Sequence, residues 1–311
     1  MKIAIMGAGS IGSYYGARLQ KGGSDVTFIA RGDHLRAMQR NGLTVEDTGK
    51  WHLSDAKATD DPSTIGPVDV VLFCVKLRDT ETAARAIKPI VTKETAVISL
   101  QNGVQKDDML APIIGREALL GGAAYISVVV EQPGMVRKIG QLERLAFGEY
   151  DNSRTPRVEA FLSACEAAGI NAEVPSDIML ELWQKFVFLT GTSSLTASMR
   201  STIGPIRSHS LTRQFGLDLM KEVVAVGRAR GIPLAPDFAE NRLAAMDQLA
   251  PEMQASMATD LSQGKPLELP WLAGAVVELG NEIGVPTPCC RAVRDILALY
   301  MDGRQSRAQV G

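Results

Sequence analysis

The sequence predicts an α/β domain followed by an all-helical domain. In the first half, short apolar runs rich in β-branched residues alternate with helical stretches, the pattern of a parallel sheet covered on both faces. One of these strands runs directly into a glycine-rich turn and a helix within the first dozen residues. Beyond Pro175 the pattern is almost wholly helical. We therefore predict two domains, over residues 1–175 and 176–311.

The first element is a strand over residues 2–6 that ends at a turn with the spacing G-x-G-x-x-G. Its glycines permit a tight turn, a close approach of ligand to backbone, and close packing of the next helix on the strand. The unpaired N–H groups and the dipole of that helix attract a pyrophosphate. The residues predicted to hold it are Gly7, Ala8, Gly9, Ser10, Ile11 and Gly12. This predicts a Rossmann-type dinucleotide-binding domain, and a strand-turn-helix without a ligand is the alternative.

The second strand, over residues 25–30, ends on Arg31, and this residue decides the predicted cofactor. An acidic residue at this position would hold the ribose 2′-hydroxyl of NAD. Arg31 suits a 2′-phosphate instead, through bidentate, charge-assisted hydrogen bonds. We therefore predict NADPH. Asp33 keeps NAD open, and a solvated Arg31 is the alternative without a ligand.

The remaining elements follow from the same patterns. Further strands are predicted at 68–75, 96–100 and 118–122. Helices are predicted between the strands, for example after Arg31 and at 80–90. A β-rich stretch from 125 to 147 predicts antiparallel strands at the sheet edge, and a helix at 156–168 and a strand at 170–174 close the domain. Ser176 or Asp177 can cap the next helix. The helices predicted beyond it are 178–197, 211–230, 237–249, 269–283 and 292–301, with breaks at glycines and prolines such as Gly204-Pro205.

Composition excludes several classes of function. A formal net charge of −2 gives no electrostatic reason to bind nucleic acid or an anionic membrane. No apolar stretch approaches a membrane span or a signal peptide, so we expect a cytoplasmic protein. The four cysteines have no metal-ligand or disulfide spacing, and we expect no metal. We interpret the three histidines, His34, His52 and His209, as structural or surface residues. For the oligomeric state, the sequence leaves a homodimer open.

Two candidate residues follow predicted strands of the first domain. Lys76 ends an apolar run, and Asn102 lies in the tripeptide Gln101-Asn102-Gly103. Ligands of open α/β sheets bind at the carboxyl ends of the strands, where both residues lie. The alternatives are a solvated lysine and a plain Asn-Gly turn.

Three further candidates belong to the second domain. Lys185 lies on its first helix, which is apolar over most of its circumference. We expect it to face a cleft between the domains, where substrate should bind. An i,i+4 ion pair with Glu181 is the alternative. Glu268 and Ser256 are the other two candidates. The alternatives without a functional role are a carboxylate at a helix start for Glu268 and a surface hydroxyl for Ser256.

These residues, in this order, are similar to the ketopantoate reductase family over nearly the whole chain. The helix with Trp183 and Lys185 and the segment from Ser256 to Glu268 are the specific parts. The matching segments are the glycine turn with Arg31, Val75-Lys76, Gln101-Asn102-Gly103, Glu181 to Lys185, Glu222 to Val226, Ser256-Met257 through Asp260-Leu261, Gly264 and Glu268, and Gly284 to Pro288.

The resemblance implies reduction of 2-dehydropantoate (ketopantoate) to pantoate by NADPH, with Lys185 as the general acid. Hydride addition to a ketone builds negative charge on its oxygen, so a cationic donor stabilises the transition state and then supplies the proton. The other roles that the resemblance implies are nicotinamide and substrate contacts for Lys76 and Asn102, a cofactor or lysine contact for Glu268, a cofactor contact for Ser127, and substrate contacts for Ser193 and Ser256.

The chain departs from the family pattern where substrate is gripped. Three positions that often hold asparagine are occupied by Leu189, Ser193 and Ile203. A hydrogen bond to a charged group contributes about 1.5 to 3 kcal/mol. Without the asparagine amides, binding of a polar 2-keto acid is expected to be weaker or to favour a different substrate. Arg200 could receive a carboxylate instead, or be a surface arginine.

Three other functions stay open at this point. A reductase of the same family could act on a different, more apolar ketone. A β-hydroxyacid dehydrogenase also joins a dinucleotide-binding domain to a helical one and uses a lysine, although the segment around Glu268 argues against it. A sensor that binds NADPH without turnover would not need Lys185.

Overall fold

A computed structural model of the protein describes residues 1–303. The chain divides into two compact units. The first unit comprises residues 1–101 and 106–181, and the second comprises residues 102–105 and the chain from residue 182 onward. Within the described part of the chain, no helix combines the length and apolar character that crossing a membrane requires.

The first unit is an α/β structure, as predicted. In chain order its elements are β1 (Lys2–Met6), α1 (Ser10–Lys21), β2 (Asp25–Ile29), α2 (Gly32–Asn41), β3 (Leu43–Glu46), β4 (Lys50–Leu53), β5 (Lys57–Thr59), β6 (Val70–Phe73), α3 (Thr80–Ile87), β7 (Ala96–Ser99), α4 (Lys106–Ile114), β8 (Leu119–Gln132), β9 (Met135–Gly148), α5 (Pro156–Ala167) and β10 (Ala172–Glu173).

Within residues 1–303 these strands form one sheet in the order β4-β3-β9-β8-β7-β6-β1-β2-β5, with β10 beside β9. The strands β5, β2, β1, β6, β7 and the start of β8 run parallel. The strand β1 pairs with β2, the next strand in the chain, on one side and with the later strand β6 on the other. The end of β1 is therefore the point at which strand order reverses, where ligands of such sheets bind.

The long strands β8 and β9 pair antiparallel, as expected for this β-rich stretch. They are added to the edge of the parallel sheet beside β7, as predicted, and β3 and β4 continue the sheet beyond β9. The strands β3, β4 and β5 were not predicted. They are three or four residues long and hold half-buried or exposed polar side chains, so neither an apolar run nor a long alternation marks them.

Alternation along β1 directs its side chains into two cores. Ile3 and Ile5 lie in one core with Tyr14 of α1, and Ala4 lies in another with Ile87 of α3. A strand buried on both faces needs apolar residues at successive positions, which explains the uninterrupted apolar run that predicted this strand.

The second unit is helical beyond residue 182. Its helices are α6 (Ile178–Met199), which begins in the first unit, α7 (Ile203–Ser208), α8 (Ser210–Ala229), α9 (Phe238–Met246), α10 (Ser256–Ser262), α11 (Ala273–Ile283) and α12 (Pro288–Leu297).

Two proline-containing segments differ from the prediction. Gly204 and Pro205 lie inside α7 rather than at a break, because a proline in the first turn of a helix lacks only an N–H that would have no helical partner. The predicted helix from 269 begins at Ala273 instead, since Leu269–Trp271 forms a separate 3₁₀ turn around Pro270.

The helix α6 is capped as predicted and packs tightly. Asp177 accepts a hydrogen bond from the Leu180 backbone N–H at 2.9 Å. Trp183 contacts Phe186 edge to face, with ring centroids 5.6 Å apart. A Cβ on Gly227 of α8 would lie 2.8 Å from the Trp183 ring, so a glycine is required where these helices approach.

We predict that Gly12→Ala destabilises the protein more than Gly9→Ala. A Cβ on Gly12 would lie 2.4 Å from the backbone oxygen of Gly7, whereas a Cβ on Gly9 would meet nothing within 4 Å. Urea unfolding should show a loss of about 1 to 3 kcal/mol for Gly12→Ala from overpacking. For Gly9→Ala the loss should stay at or below about 1 kcal/mol, the cost of alanine at an N-cap. Equal losses would contradict this account.

Candidate active site

The glycine-rich turn folds back over the end of β2. Gly7 adopts φ +91°, a conformation that favours glycine. The backbone N–H groups of Gly7 and Ala8 both donate to the carbonyl oxygen of Ile29, at 3.2 and 2.9 Å. The turn is thus held to the strand that precedes Arg31, which brings the two predicted cofactor contacts to one edge of the sheet.

Space beside Gly9 suits a pyrophosphate. Gly9 is exposed and is the N-cap of α1, with no side chain capping that helix and no acidic residue in its first turn. Backbone N–H groups at such a terminus attract anions, and a side chain at Gly9 would fill the space that a phosphate needs. The residues from Gly7 to Gly12, with Ser10 and Ile11 half-buried, therefore fit a dinucleotide.

His34 is linked to this turn by hydrogen bonds through Ser13. Its Nδ1 accepts a hydrogen bond from the Gly134 backbone N–H at 3.1 Å, so the neutral ring carries its proton on Nε2. Nε2 lies 3.1 Å from Ser13 Oγ, and that hydroxyl donates to the Ala8 carbonyl at 3.0 Å. His34 is therefore structural, as predicted, and it links the β8–β9 hairpin to the glycine turn.

Arg31 is the exposed N-cap residue of α2. Within residues 1–303 its guanidinium has no hydrogen-bond or ion-pair partner. Asp33, which kept the NAD alternative open, pairs with Arg36. The cationic group beside the turn is therefore available to an anion, and the nearby carboxylate is already engaged.

Lys76 and Ser127 were also predicted to contact the cofactor. Lys76 is exposed and precedes a 3₁₀ turn at Leu77–Asp79, beyond the carboxyl end of β6. Ser127 is exposed on β8, at an irregularity where it pairs with Ile139 of β9. Their roles in binding stay predictions.

A cluster of charged and aromatic side chains holds the start of α6. Tyr125 and Arg144 face each other across the β8–β9 hairpin, with the guanidinium carbon 4.3 Å from the ring centroid. Both donate to the buried carboxylate of Glu181, and Arg144 also pairs with Glu173. Burial and the bond to Glu181 raise the pKa of Tyr125, so its hydroxyl stays a donor.

Lys185 lies on α6 one turn after Glu181, and its side chain is half-buried. The sequence left open a surface ion pair between these residues, but the Glu181 carboxylate is buried and bound by Arg144 and Tyr125. Sequence reasoning missed both partners. Only the register of the hairpin shows that residues 125 and 144 are opposite each other, and no local pattern reveals it.

Asn102 and Glu268, distant in sequence, meet in the second unit. Asn102 Nδ2 donates to Glu268 Oε2 at 3.2 Å. Gly103 follows with φ +86°, so the Asn-Gly pair forms the turn that its sequence predicts. The Glu268 side chain is buried, at 7 % exposure. Ser256, the first residue of α10, is exposed.

The positions at which the family pattern is broken, Leu189 and Ser193 of α6 and Ile203 of α7, are partly or fully buried. Leu189, one turn after Lys185, is half-buried, and Ile203 is fully buried. Ser193 is at 0 % exposure, and its hydroxyl has no hydrogen-bond partner among residues 1–303. In this conformation Ser193 is covered, so its predicted substrate contact requires a rearrangement of its surroundings.

Arg200 packs on an aromatic ring, and the cysteines form no disulfide. Arg200 is exposed, has φ +51° and lies over the Tyr300 ring at 5.0 Å from its centroid. All four cysteines are free thiols. Within the part of the chain that the structure covers, no cluster of histidine, cysteine or acidic residues could hold a metal ion.

Comparison with known proteins gives concordant matches along the chain. The profile of ketopantoate reductase PanE/ApbA matches residues 3–152, and the profile of its C-terminal domain matches residues 177–301. A 2-dehydropantoate 2-reductase from Mesorhizobium japonicum is 30% identical, with 94% of this chain and 95% of that protein covered.

Solved structures agree. A PanE/ApbA family ketopantoate reductase from Ralstonia eutropha JMP134 superposes with a TM-score of 0.88 and 32% identity, covering 97% of this chain and 98% of that one. The 2-dehydropantoate 2-reductase from Geobacter metallireducens GS-15 has a TM-score of 0.90 and 30% identity, covering 96% and 99%. The predicted fold class, a Rossmann-type domain followed by a helical one, is confirmed.

We predict that His34 lowers the free energy of unfolding of the protein in mild acid relative to neutral pH. Burial lowers the pKa of His34 below its ordinary value of 6.5. As pH falls through about 6.5, the unfolded chain binds a proton that the folded chain refuses, so the free energy of unfolding falls. It stops falling once the folded His34 is itself protonated.

Urea unfolding between pH 7 and pH 5 checks this. His34→Gln should have a shallower pH dependence than the wild type, because the residue that takes up the proton is gone. His52→Gln, a change on the short strand β4, is the matched control and should leave more of the slope in place. An unchanged slope for His34→Gln would contradict the prediction.

Proposed function

Because the chain belongs to the ketopantoate reductase family, we propose that it reduces 2-dehydropantoate to pantoate with NADPH. As a member, it is an oxidoreductase of the 2-dehydropantoate 2-reductase type that acts on CH–OH groups. One observation carries the finer proposal. A half-buried lysine, Lys185, lies one turn after a helix start anchored by Glu181, in a chain whose glycine turn leaves room for a pyrophosphate.

The cofactor contacts that we propose belong to the first unit. Bound NADPH supplies the hydride. The glycine turn would hold the pyrophosphate through backbone N–H groups at the start of α1. The guanidinium of Arg31, which has no partner among residues 1–303, would hold the 2′-phosphate. Lys76 and Ser127 would make further contacts.

Lys185 is proposed as the general acid. When the keto carbon gains hydride, its oxygen becomes an alkoxide, and the Lys185 ammonium would donate a proton to that oxygen to give the hydroxyl product. The neutral amine then regains a proton from solvent. Arg144 and Tyr125 support this role, because they engage the Glu181 carboxylate that would otherwise attract the ammonium at i,i+4 spacing.

The other proposed contacts belong to the second unit. Asn102 would line the nicotinamide and substrate region, Glu268 would contact the cofactor or Lys185, and Ser256 would hydrogen-bond substrate. The hydrogen bond between Asn102 and Glu268 supports a common site for these two residues. A homodimer and a cytoplasmic location stay predictions from the sequence.

A reductase of a more apolar 2-keto acid is the second candidate. Leu189 is half-buried one turn after Lys185, Ile203 is buried, and the Ser193 hydroxyl is covered. These residues supply few donors to the hydroxyl group of ketopantoate, whereas an apolar substituent would lose nothing by packing against Leu189.

Assays that follow NADPH absorbance distinguish the candidates. We expect turnover of ketopantoate, with kcat of at least about 1 s⁻¹. Under the second candidate, kcat/KM should be higher for 2-keto acids with branched aliphatic or aromatic substituents. Lys185→Ala should lower kcat by about 10² to 10⁴ while leaving NADPH binding in place, since a proton donor is lost and no cofactor contact is.

The controls distinguish a wrong assignment of Lys185 from a general loss of activity. Lys93→Ala removes an exposed lysine of the first unit and should keep full activity. Wild-type kcat in Lys185→Ala would contradict the proposed acid. Tight NADPH binding without turnover of any ketone would favour a sensor.

Arg31→Ala should relax the choice of cofactor. Loss of the guanidinium removes about 1.5 to 3 kcal/mol of binding to the 2′-phosphate, so KM for NADPH should rise about 10- to 150-fold. KM for NADH should hardly change. Arg36→Ala, also exposed on α2 but paired with Asp33, is the matched control and should leave both constants near wild type. An equal rise for both cofactors after Arg31→Ala would overturn the assignment.

A further inference from the structure

A buried lysine that the proposed reaction does not use lies where α4 begins. Lys106 is 1 % exposed. Its Nζ donates to the carbonyl oxygen of Ser99, the last residue of β7, and to that of Gly122 in β8. The ammonium therefore joins two adjacent strands at the carboxyl end of the parallel sheet.

Gln101 forms a second buried attachment five residues earlier. Its Nε2 donates to the Val75 carbonyl at 3.1 Å and to Thr80 Oγ1 at 2.8 Å, and its Oε1 accepts from Ser99 Oγ at 3.0 Å. All hydrogen-bonding atoms of this amide group thus have partners inside the first unit.

Between these attachments runs the turn Asn102–Gln105. It is the only part of the first 181 residues that groups with the second unit. Asn102, its first residue, donates to Glu268. Gln101 and Lys106, whose side chains are bonded within the first unit, therefore flank four residues that group with the second unit.

Burying a lysine has an energetic cost that calls for a compensating role. Removal from water disfavours the ammonium, and burial lowers the pKa of Lys106. The adjacent buried Asp107, which accepts from the Tyr150 hydroxyl, offsets part of this cost. An apolar side chain would fill the same space, but it would leave the Ser99 and Gly122 carbonyls without these donors.

We propose that Lys106 is a positioning residue that, together with Gln101, fixes the Asn102–Gln105 turn and so places the Asn102 amide against Glu268. This inference rests on the proposed function, which assigns Asn102 and Glu268 to the cofactor and substrate region. Lys106 itself touches neither, and it acts through the backbone of the turn.

Amide hydrogen exchange tests the placement without reference to activity. Lys106→Met keeps the length of the side chain but removes its donors. The hydrogen-bonded amides on either side of the turn report on it, namely that of Leu100, which donates to the Phe73 carbonyl, and those of α4. Their exchange should be at least about tenfold faster in Lys106→Met than in the wild type, as expected when local opening becomes easier by about 1.4 kcal/mol. Lys93→Met, at a side chain that is 87 % exposed in the same unit, should leave exchange unchanged. Unchanged exchange in Lys106→Met would overturn the proposal.

A double-mutant cycle tests whether Lys106 acts through Asn102. Lys106→Met should lower kcat/KM for the best keto acid about tenfold in the wild-type background and less than about twofold in the Asn102→Ala background. Full additivity of the two losses would show that Lys106 acts elsewhere and would overturn the proposal. If Lys106→Met does not fold, Gln101→Leu is used in both measurements, with the same expected results.

The outcomes separate this inference from the proposed function. If Asn102→Ala retains full kcat/KM, the role proposed for Asn102 in the reaction fails, and the exchange measurement still decides whether Lys106 holds the turn. If the wild type reduces no keto acid, the proposed reaction fails, and the same measurement applies to the folded protein.

Discussion

The close backbone approach inside the first turn determines much of the first unit. The Gly7 oxygen lies so near the Cα of Gly12 that no side chain fits between them. This contact sets how α1 leaves β1, and Gly16, one turn on, continues it, since a Cβ there would lie 2.5 Å from Phe28 of β2. The bonds from Gly7 and Ala8 to Ile29 then fix the turn to the end of β2. The open space at Gly9 is a consequence of this packing.

The helix α6 meets two opposed requirements. It is apolar over most of its surface, as a helix buried in a helical unit must be, yet it carries a lysine that the proposed chemistry needs as a cation. Its charged side chains, Glu181 and Lys185, both lie near its N-terminal end. There Asp177 caps the helix, and Glu181 is held by an arginine and a tyrosine from the hairpin. Charge is thus confined to the end of the helix, where partners from the sheet can balance it.

Sequence alone predicted the features that local pattern encodes. The strand β1, the glycine turn, the cap at Asp177 and the course of α6 follow from spacing and composition. A helix between β7 and β8 was expected, but the bounds of α4 and the burial of its first residues were not, because Lys106 and Asp107 look like surface residues and both are buried. Tyr125 and Arg144 were missed for a related reason, since their pairing depends on strand register across the hairpin. The contact between Asn102 and Glu268 joins residues 166 positions apart, and no local rule detects it.

The unit boundary falls inside α6, between Glu181 and Leu182, and the helix runs through it without a break. Substitutions in this stretch change side chains but leave the phase of the helix intact. A single inserted or deleted residue between positions 181 and 185 would instead rotate the amine about the helix axis by about 100° relative to the anchored carboxylate. Homologues should therefore keep the number of residues between Glu181 and Lys185 constant.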